Sequence, residues 1–128
     1  MSRIRTLCTD SKASAHVVIG RDGSITQLVP FNIMAWHAGR SSYGNRSGMN
    51  RYSIGIEMDN AGILTPSGDS FVSWFGRKFA SGEVMKAIHR NEAFERYWRS
   101  YTEKRIASAF DLCEALMKAY PVKPYPWP

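Results

Sequence analysis

The sequence predicts an α/β domain, and three observations predict it. Residues 14–29 hold two runs of β-formers on either side of a tight-turn signal, Arg21-Asp-Gly-Ser24. Residues 52–58 form a third run of strand character that carries one carboxylate, Glu57, among apolar neighbours. The C-terminal third carries aromatic and apolar residues three and four apart, the period of an amphipathic helix. At 128 residues the chain suits one domain spanning 1–128.

The elements follow in order. Ile4, Leu7 and Cys8 are spaced for one helical turn. Val17, Val18 and Ile19 place a strand at residues 14–19. Gly23 supplies the positive φ of the turn, and a second strand at 25–29 ends at Pro30. Residues 31–50, with Gly39, Gly44 and Gly48, make a connection long enough to be functional. After the strand at 52–58, Asp59-Asn-Ala-Gly62 turns the chain, and residues 63–82 read as short strands and loops packed by aromatics. Phe94, Tyr97, Trp98 and Tyr101 predict a helix that continues through Ile106, Phe110, Cys113, Leu116, Met117 and Tyr120, with a break near residues 100–102. Thr102 reads as an N-cap, and Glu92–Arg96, Glu95–Arg99 and Glu114–Lys118 as i,i+4 pairs. Pro121 stops the helix.

Composition narrows the function classes. The chain is 44% hydrophobic, 12% aromatic and 22% charged, and so can fill a core. No apolar run reaches the roughly 18 residues of a membrane span, and no signal-peptide core is present, so a cytoplasmic location is expected and no membrane partner. Seventeen basic and eleven acidic residues give a net charge of +6. The bases are scattered and match no nucleic-acid motif, so no specific nucleic-acid binding is expected; an anionic polymer such as a cell-wall glycan fits equally well. Cys8 and Cys113 lie far apart, outside any CxxC pattern, and are expected as two free buried thiols.

The chemistry-bearing residues cluster in two motifs. In Ser53-Ile-Gly-Ile-Glu57, strand alternation puts Ser53, Gly55 and Glu57 on one face, with small residues leaving room for a ligand beside a carboxylate able to act as a general base. In Ala35-Trp-His-Ala-Gly39, His37 is suited to metal ligation, proton transfer or holding a substrate carbonyl, and Trp36 to stacking on a sugar or filling the core. His16 starts the first strand, where a structural ring bonded to backbone competes with a site role. Tyr43 offers a second flat surface, Arg40, Arg46 and Arg51 line the long loop, and Asn60 follows the strand of Glu57. The candidate set is therefore Glu57 as catalytic residue and His16, Trp36, His37, Arg40, Tyr43, Arg51 and Asn60 as substrate-binding residues. His89 reads as a surface residue. No short metal-ligand spacing, phosphate loop or nucleophile elbow is present.

Three runs carry a resemblance: Ser14-Ala-His-Val-Val-Ile-Gly-Arg-Asp-Gly-Ser-Ile-Thr-Gln-Leu-Val-Pro30, Ala35-Trp-His-Ala-Gly39, and Asn50-Arg-Tyr-Ser-Ile-Gly-Ile-Glu-Met-Asp-Asn-Ala-Gly62, with weaker support from Trp74-Phe-Gly76 and Tyr101-Thr-Glu103. In this order they resemble the zinc-dependent N-acetylmuramoyl-L-alanine amidases, the group of the amidase-type phage lysozymes, similar in fold to the peptidoglycan recognition proteins. The resemblance covers residues 6 to about 122. It implies a mixed, twisted sheet flanked by helices, and a groove where zinc polarises the lactyl-amide carbonyl between N-acetylmuramic acid and L-alanine for attack by water. It further implies that Glu57 assists, that His37 stands in the groove wall and that His16 supports the site from the sheet. Where some members carry a catalytic tyrosine, this chain has Ala15.

The zinc ligands depart from that pattern. The family's first ligand belongs to a strand that would precede Thr6-Leu-Cys8, and the other two would follow Val122, where this sequence reads Lys123-Pro-Tyr-Pro-Trp-Pro128. The resemblance thus implies a domain truncated at both ends, no metal ligand and no bound cofactor, and a sheet completed by a rearranged N-terminus, by the Tyr125-Pro-Trp127 tail or by a second copy in a homo-oligomer. Three functions stand open: an amidase-family domain inactive alone; a non-catalytic binder of a muropeptide, or of a small anionic metabolite or nucleotide, in the remnant groove; or a hydrolase with a relocated metal site on His16, His37 and Glu57.

Overall fold

The computed structural model describes residues 13–122. The chain forms two compact units, one holding residues 1–59 and 102–128 and the other residues 60–101. Among the described residues the first unit contains β1 (Val17–Ile19), β2 (Ile25–Gln27), β3 (Ser42–Tyr43), β4 (Arg46–Ser47), a 3-10 turn (Met49–Arg51), β5 (Ile56–Met58) and helix α1 (Glu103–Ala119). Its main sheet is mixed, ordered β2-β1-β5, with β1 antiparallel to β2 and parallel to β5. Ala15, His16, Val17, Val18 and Ile19 are all buried, so β1 is covered on both faces, as a central strand with a parallel neighbour is expected to be.

The hairpin predicted from Arg21-Asp-Gly-Ser24 is present. Gly23 has φ 85°, and Asp22 Oδ1 accepts from the Ser24 hydroxyl (2.6 Å) and the Ser24 N–H (3.0 Å). These bonds, the hydroxyl first, hold the Asp22 carboxyl below the usual carboxylate range. A carboxyl whose folded value is depressed contributes stability above its unfolded range and loses it as pH falls through the folded value.

Helix α1 is fastened to that turn by polar groups. Thr102 Oγ1 donates to Arg21 O (2.6 Å), Arg105 Nε to Gly20 O (3.2 Å) and Ser108 Oγ to Gly23 O (2.7 Å). Thr102 also accepts from Arg105 N, so the predicted N-cap is real. The buried positions of α1 are Arg105 and Leu116; Leu116 belongs to the predicted apolar stripe, while Phe110 of the same stripe is 73% exposed. Cys113, expected to be buried, is exposed and free; Cys8 lies outside the described residues. Thr102→Ala removes the cap and the bond to Arg21 together and is expected to cost about 1–2 kcal/mol in urea unfolding, with Thr102→Ser close to wild type.

The second unit is an antiparallel sheet in the order β8-β7-β6-β10-β9, built from β6 (Ile63–Ser67), β7 (Ser70–Ser73), β8 (Lys78–Phe79), β9 (Val84–Ile88) and β10 (Glu95–Arg99). Residues 63–82 are the short strands predicted. The helix predicted over Phe94–Tyr101 is instead a strand: β10 pairs with β9 from Glu95↔Ile88 to Arg99↔Val84. Its charges accordingly pair across strands. Glu95 bridges Lys86 at 2.6 Å rather than Arg99, and Arg99 pairs with Glu83 while lying over the Phe79 ring. Glu92–Arg96 does meet at 2.7 Å, outside any helix, and Glu114–Lys118 at 2.6 Å on α1 as predicted. His89 is exposed and lies against Trp98. No helix among the described residues is long and apolar enough to cross a membrane.

Candidate active site in the first unit

The site grows from the junction of β1 and β5. Gly55 O accepts from both His16 N (3.0 Å) and Val17 N (3.1 Å). Gly55 N donates to His16 Nδ1 at 2.9 Å, and His16 Nε2 lies 2.9 Å from Ile33 O. A ring nitrogen that accepts from an N–H carries no hydrogen, and one facing a carbonyl must donate. His16 is therefore a neutral, Nε2-protonated ring with both nitrogens engaged and 2% exposed. Of the two roles open in the sequence, the geometry fits the structural one: His16 ties β1, β5 and the loop after β2 together.

His37 packs on Gly55. A Cβ built on Gly55 would stand 2.6 Å from His37 Cδ2 and 2.8 Å from its Cβ, and closer still to Cγ. The room that the small residue was expected to leave for a ligand is thus taken by the imidazole. The strand predicted over 52–58 is shorter, Ile56–Met58, and Glu57 stands in its middle, paired in register with Val18. Glu57 is half-buried. Two anchors hold the backbone around His37. Asn50 Oδ1 accepts from His37 N (3.0 Å) and Ala38 N (2.7 Å). Ser14 pairs with Trp36, its N–H to Trp36 O and Trp36 N to its Oγ, both 2.9 Å. Trp36 itself is 58% exposed, so its backbone is fixed while its ring faces solvent.

The other candidates divide. Arg40, Tyr43 and Arg51 are exposed, on the loop that carries His37 or beside Asn50. Tyr43 sits on the β3–β4 hairpin, and Arg46 stacks over Tyr52 at 5.0 Å. Asn60 belongs to the second unit, and its amide is used there: Nδ2 donates to Arg99 O (3.1 Å) and Oδ1 accepts from Gly62 N (2.9 Å). Sequence reasoning missed Asn50 as a site-builder. It opens the Asn50–Gly62 motif and sits in the middle of the 3-10 turn Met49–Arg51, and the amides it holds lie twelve and thirteen residues upstream, so no local signal marked it.

A mostly apolar cavity of about 780 Å³ in the first unit is lined by Ser53, Ile54 and Ile56 and, from the C-terminal segment, by Leu116, Met117 and Tyr120. Much of the predicted apolar stripe of α1 faces this space.

The amidases that the sequence resembles use zinc, and the described residues do not fit that ion. Among them no three His, Cys, Asp or Glu side chains come together as a metal site. The relocated site on His16, His37 and Glu57 fails at its first member, whose ring nitrogens are both occupied.

The N-acetylmuramoyl-L-alanine amidase family matches residues 1–126. The 1,6-anhydro-N-acetylmuramyl-L-alanine amidase AmpD of Citrobacter freundii is 53% identical over 53 residues, 41% of this chain and 28% of AmpD. The N-acetylmuramoyl-L-alanine amidase AmiD of Escherichia coli K12 is 35% identical over 81 residues, 58% of this chain and 29% of AmiD. The structure of E. coli AmiD in complex with the substrate anhydro-N-acetylmuramic acid-L-Ala-D-γ-Glu-L-Lys superposes with a TM-score of 0.65 at 26% identity, covering 94% of this chain and 39% of that one. The chain spans less than a third of the length of these curated relatives. With the family matched over residues 1–126 and the mixed sheet in place, the chain belongs to the N-acetylmuramoyl-L-alanine amidase family.

Proposed function

We propose that the first unit binds a muramoyl-peptide fragment of peptidoglycan on the face formed by Trp36, His37, Arg40, Tyr43 and Arg51, with Glu57 as a remnant general base, and that the chain alone binds without cleaving. The observation that carries this reading is the anchoring of Trp36-His37-Ala38 by four hydrogen bonds, two to Ser14 and two to Asn50. A rigid segment that turns an indole to solvent has already met the ordering cost of presenting a stacking surface. The arginines beside it suit the free carboxylates of a stem peptide. The likeness to AmiD, whose structure holds such a fragment, supports the choice of ligand. The non-catalytic half rests on the chemistry of the described side chains: they offer a carboxylate at Glu57 and an imidazole at His37, and no ligand set for the metal that the family's reaction uses.

Calorimetric titration with anhydro-N-acetylmuramic acid-L-Ala-D-γ-Glu-L-Lys tests the proposal. Saturable binding is expected, weakened about tenfold or more in a Trp36→Ala, Arg51→Ala double variant, the loss of about 1.4 kcal/mol or more. Equal affinity in wild type and double variant would count against the groove. Mass spectrometry of the same mixture, with zinc added, is expected to return the fragment intact; release of the peptide from the sugar would overturn the non-catalytic half. Binding of a nucleotide in preference to the fragment would favour the small-anion alternative.

A further inference from the structure

We infer that Ser53 and Asn50 are positioning residues that set the direction of hydrogen bonding at His37, fixing the ring with its hydrogen on Nε2 and leaving Nδ1 to accept a hydrogen bond from a ligand N–H. The inference rests on the groove proposed above and names what one of its side chains takes.

The argument starts at Ser53. A serine hydroxyl has one hydrogen and two lone pairs. Ser53 Oγ lies 2.6 Å from the Met49 carbonyl oxygen, which can only accept, so the hydroxyl hydrogen points there. Toward His37 Nε2, 3.3 Å away, Ser53 can then only accept. The hydrogen between them belongs to Nε2. In a neutral ring the remaining lone pair is on Nδ1, which has no hydrogen-bond partner among the described residues.

Three contacts keep the ring from escaping this arrangement. Asn50 Oδ1 holds the N–H groups of His37 and Ala38, which fixes the backbone from which the ring projects. The ring lies against the bare Cα of Gly55, close enough that no Cβ fits between them. The edge of His16, itself held at both nitrogens, closes another side at a ring-centroid distance of 5.9 Å. The relay Met49 O···Ser53 Oγ···His37 Nε2 is therefore built into the 3-10 turn at Met49–Arg51 and the extended residues after it.

The chemical consequence is selective. A carbonyl, carboxylate or phosphate brings only lone pairs and meets a lone pair at Nδ1. A peptide or acetamido N–H meets its complement. Of the three uses open to His37 in the sequence, holding a substrate carbonyl is disfavoured, and acceptance from an amide N–H of the muramoyl peptide takes its place. Anionic groups fall to Arg40 and Arg51.

The test is nitrogen-15 and proton NMR of the His37 ring in the 128-residue protein, in wild type, Ser53→Ala and Ser53→Thr, with and without anhydro-N-acetylmuramic acid-L-Ala-D-γ-Glu-L-Lys. In wild type the ring is expected to show a protonated Nε2 and a bare Nδ1. Ser53→Ala is expected to move the ring toward a mixture of tautomers and to weaken the fragment about three- to tenfold, the value of one hydrogen bond; Ser53→Thr, which keeps the hydroxyl, is expected to restore both. Addition of the fragment is expected to shift Nδ1 in the sense of an accepted hydrogen bond. Backbone spectra establish that each variant is folded, so a merely structural loss shows there and not as a tautomer change reversed by threonine. A wild-type ring protonated on Nδ1, an unchanged ring in Ser53→Ala, or saturable binding without a shift at Nδ1 overturns the inference. A ring with the expected tautomer in a protein that binds no fragment overturns the proposed function and leaves the assignment of the ring standing.

Discussion

Replacing Gly55 by alanine is expected to destabilise the protein by about 1–3 kcal/mol and to push His37 out of its place. The added Cβ would stand 2.6 Å from His37 Cδ2 and nearer to Cγ, distances that no real contact sustains. Either the ring leaves or the strand moves. The strand is held hard: Gly55 O accepts from His16 and Val17, and its N–H donates to the His16 ring. Yielding by the ring is therefore the smaller disturbance, and it breaks the contact with Ser53. Urea unfolding reads the stability, and the His37 ring resonances read the displacement. A Gly55→Ala protein with wild-type stability and an unmoved His37 would contradict the packing described.

Replacing His16 by phenylalanine is expected to cost about 2–4 kcal/mol, although the ring volume is nearly kept. His16 is 2% exposed and satisfies two backbone groups, the Gly55 N–H and the Ile33 carbonyl. Phenylalanine leaves both without a partner in the interior, at about 1–3 kcal/mol each, offset in part by easier burial of an apolar ring. The stacking of His16 on Phe31, at 5.9 Å, is retained by the substitution and does not enter the difference. The same variant separates a structural His16 from a metal-binding one. Added zinc is expected to leave the melting temperature of wild type and variant alike unchanged; zinc-dependent stabilisation in wild type alone would place His16 in a metal site.

The sequence showed the parts of the site that depend on local rules. Gly23 in a tight turn, β-branched residues on either side of it, Glu57 on a strand and Thr102 at a helix start are each dictated by neighbours in the chain, and each is found where expected. What remained hidden depends on partners distant in sequence. Phe94, Tyr97, Trp98 and Tyr101 have helical spacing, yet Tyr97 packs on Phe71 at 4.8 Å and pairs with Leu64 and Lys86 across a sheet. Nothing between residues 94 and 101 distinguishes the two outcomes; the neighbouring strands decide. The helix that does form begins at the cap and turns polar side chains, Thr102, Arg105 and Ser108, onto the hairpin turn. Of the predicted apolar stripe, Leu116 is buried while Phe110 and Cys113 are exposed.

The candidate site was legible as a set of residue types and not as a circuit. The sequence leaves the roles of His16 and His37 open. The structure separates them, since one has both nitrogens bound to backbone and the other is held at one nitrogen by a serine. Asn60 followed the Glu57 strand and looked like a groove residue, yet its amide closes a turn and holds Arg99 O within the second unit. In the sequence Asn50 carries no assigned role, and Ser53 reads as a small strand residue beside Glu57; Asn50 Oδ1 holds the His37 and Ala38 amides and Ser53 Oγ lies 3.3 Å from His37 Nε2.

The central claim is that the face built from Trp36, His37 and Glu57 receives a muramoyl peptide. Mapping backbone and ring resonances during titration with anhydro-N-acetylmuramic acid-L-Ala-D-γ-Glu-L-Lys tests it most directly. The account predicts saturable shifts centred on Trp36, His37, Ala38, Arg40, Arg51 and Glu57. Shifts confined to residues 60–101, or none that saturate, would contradict it.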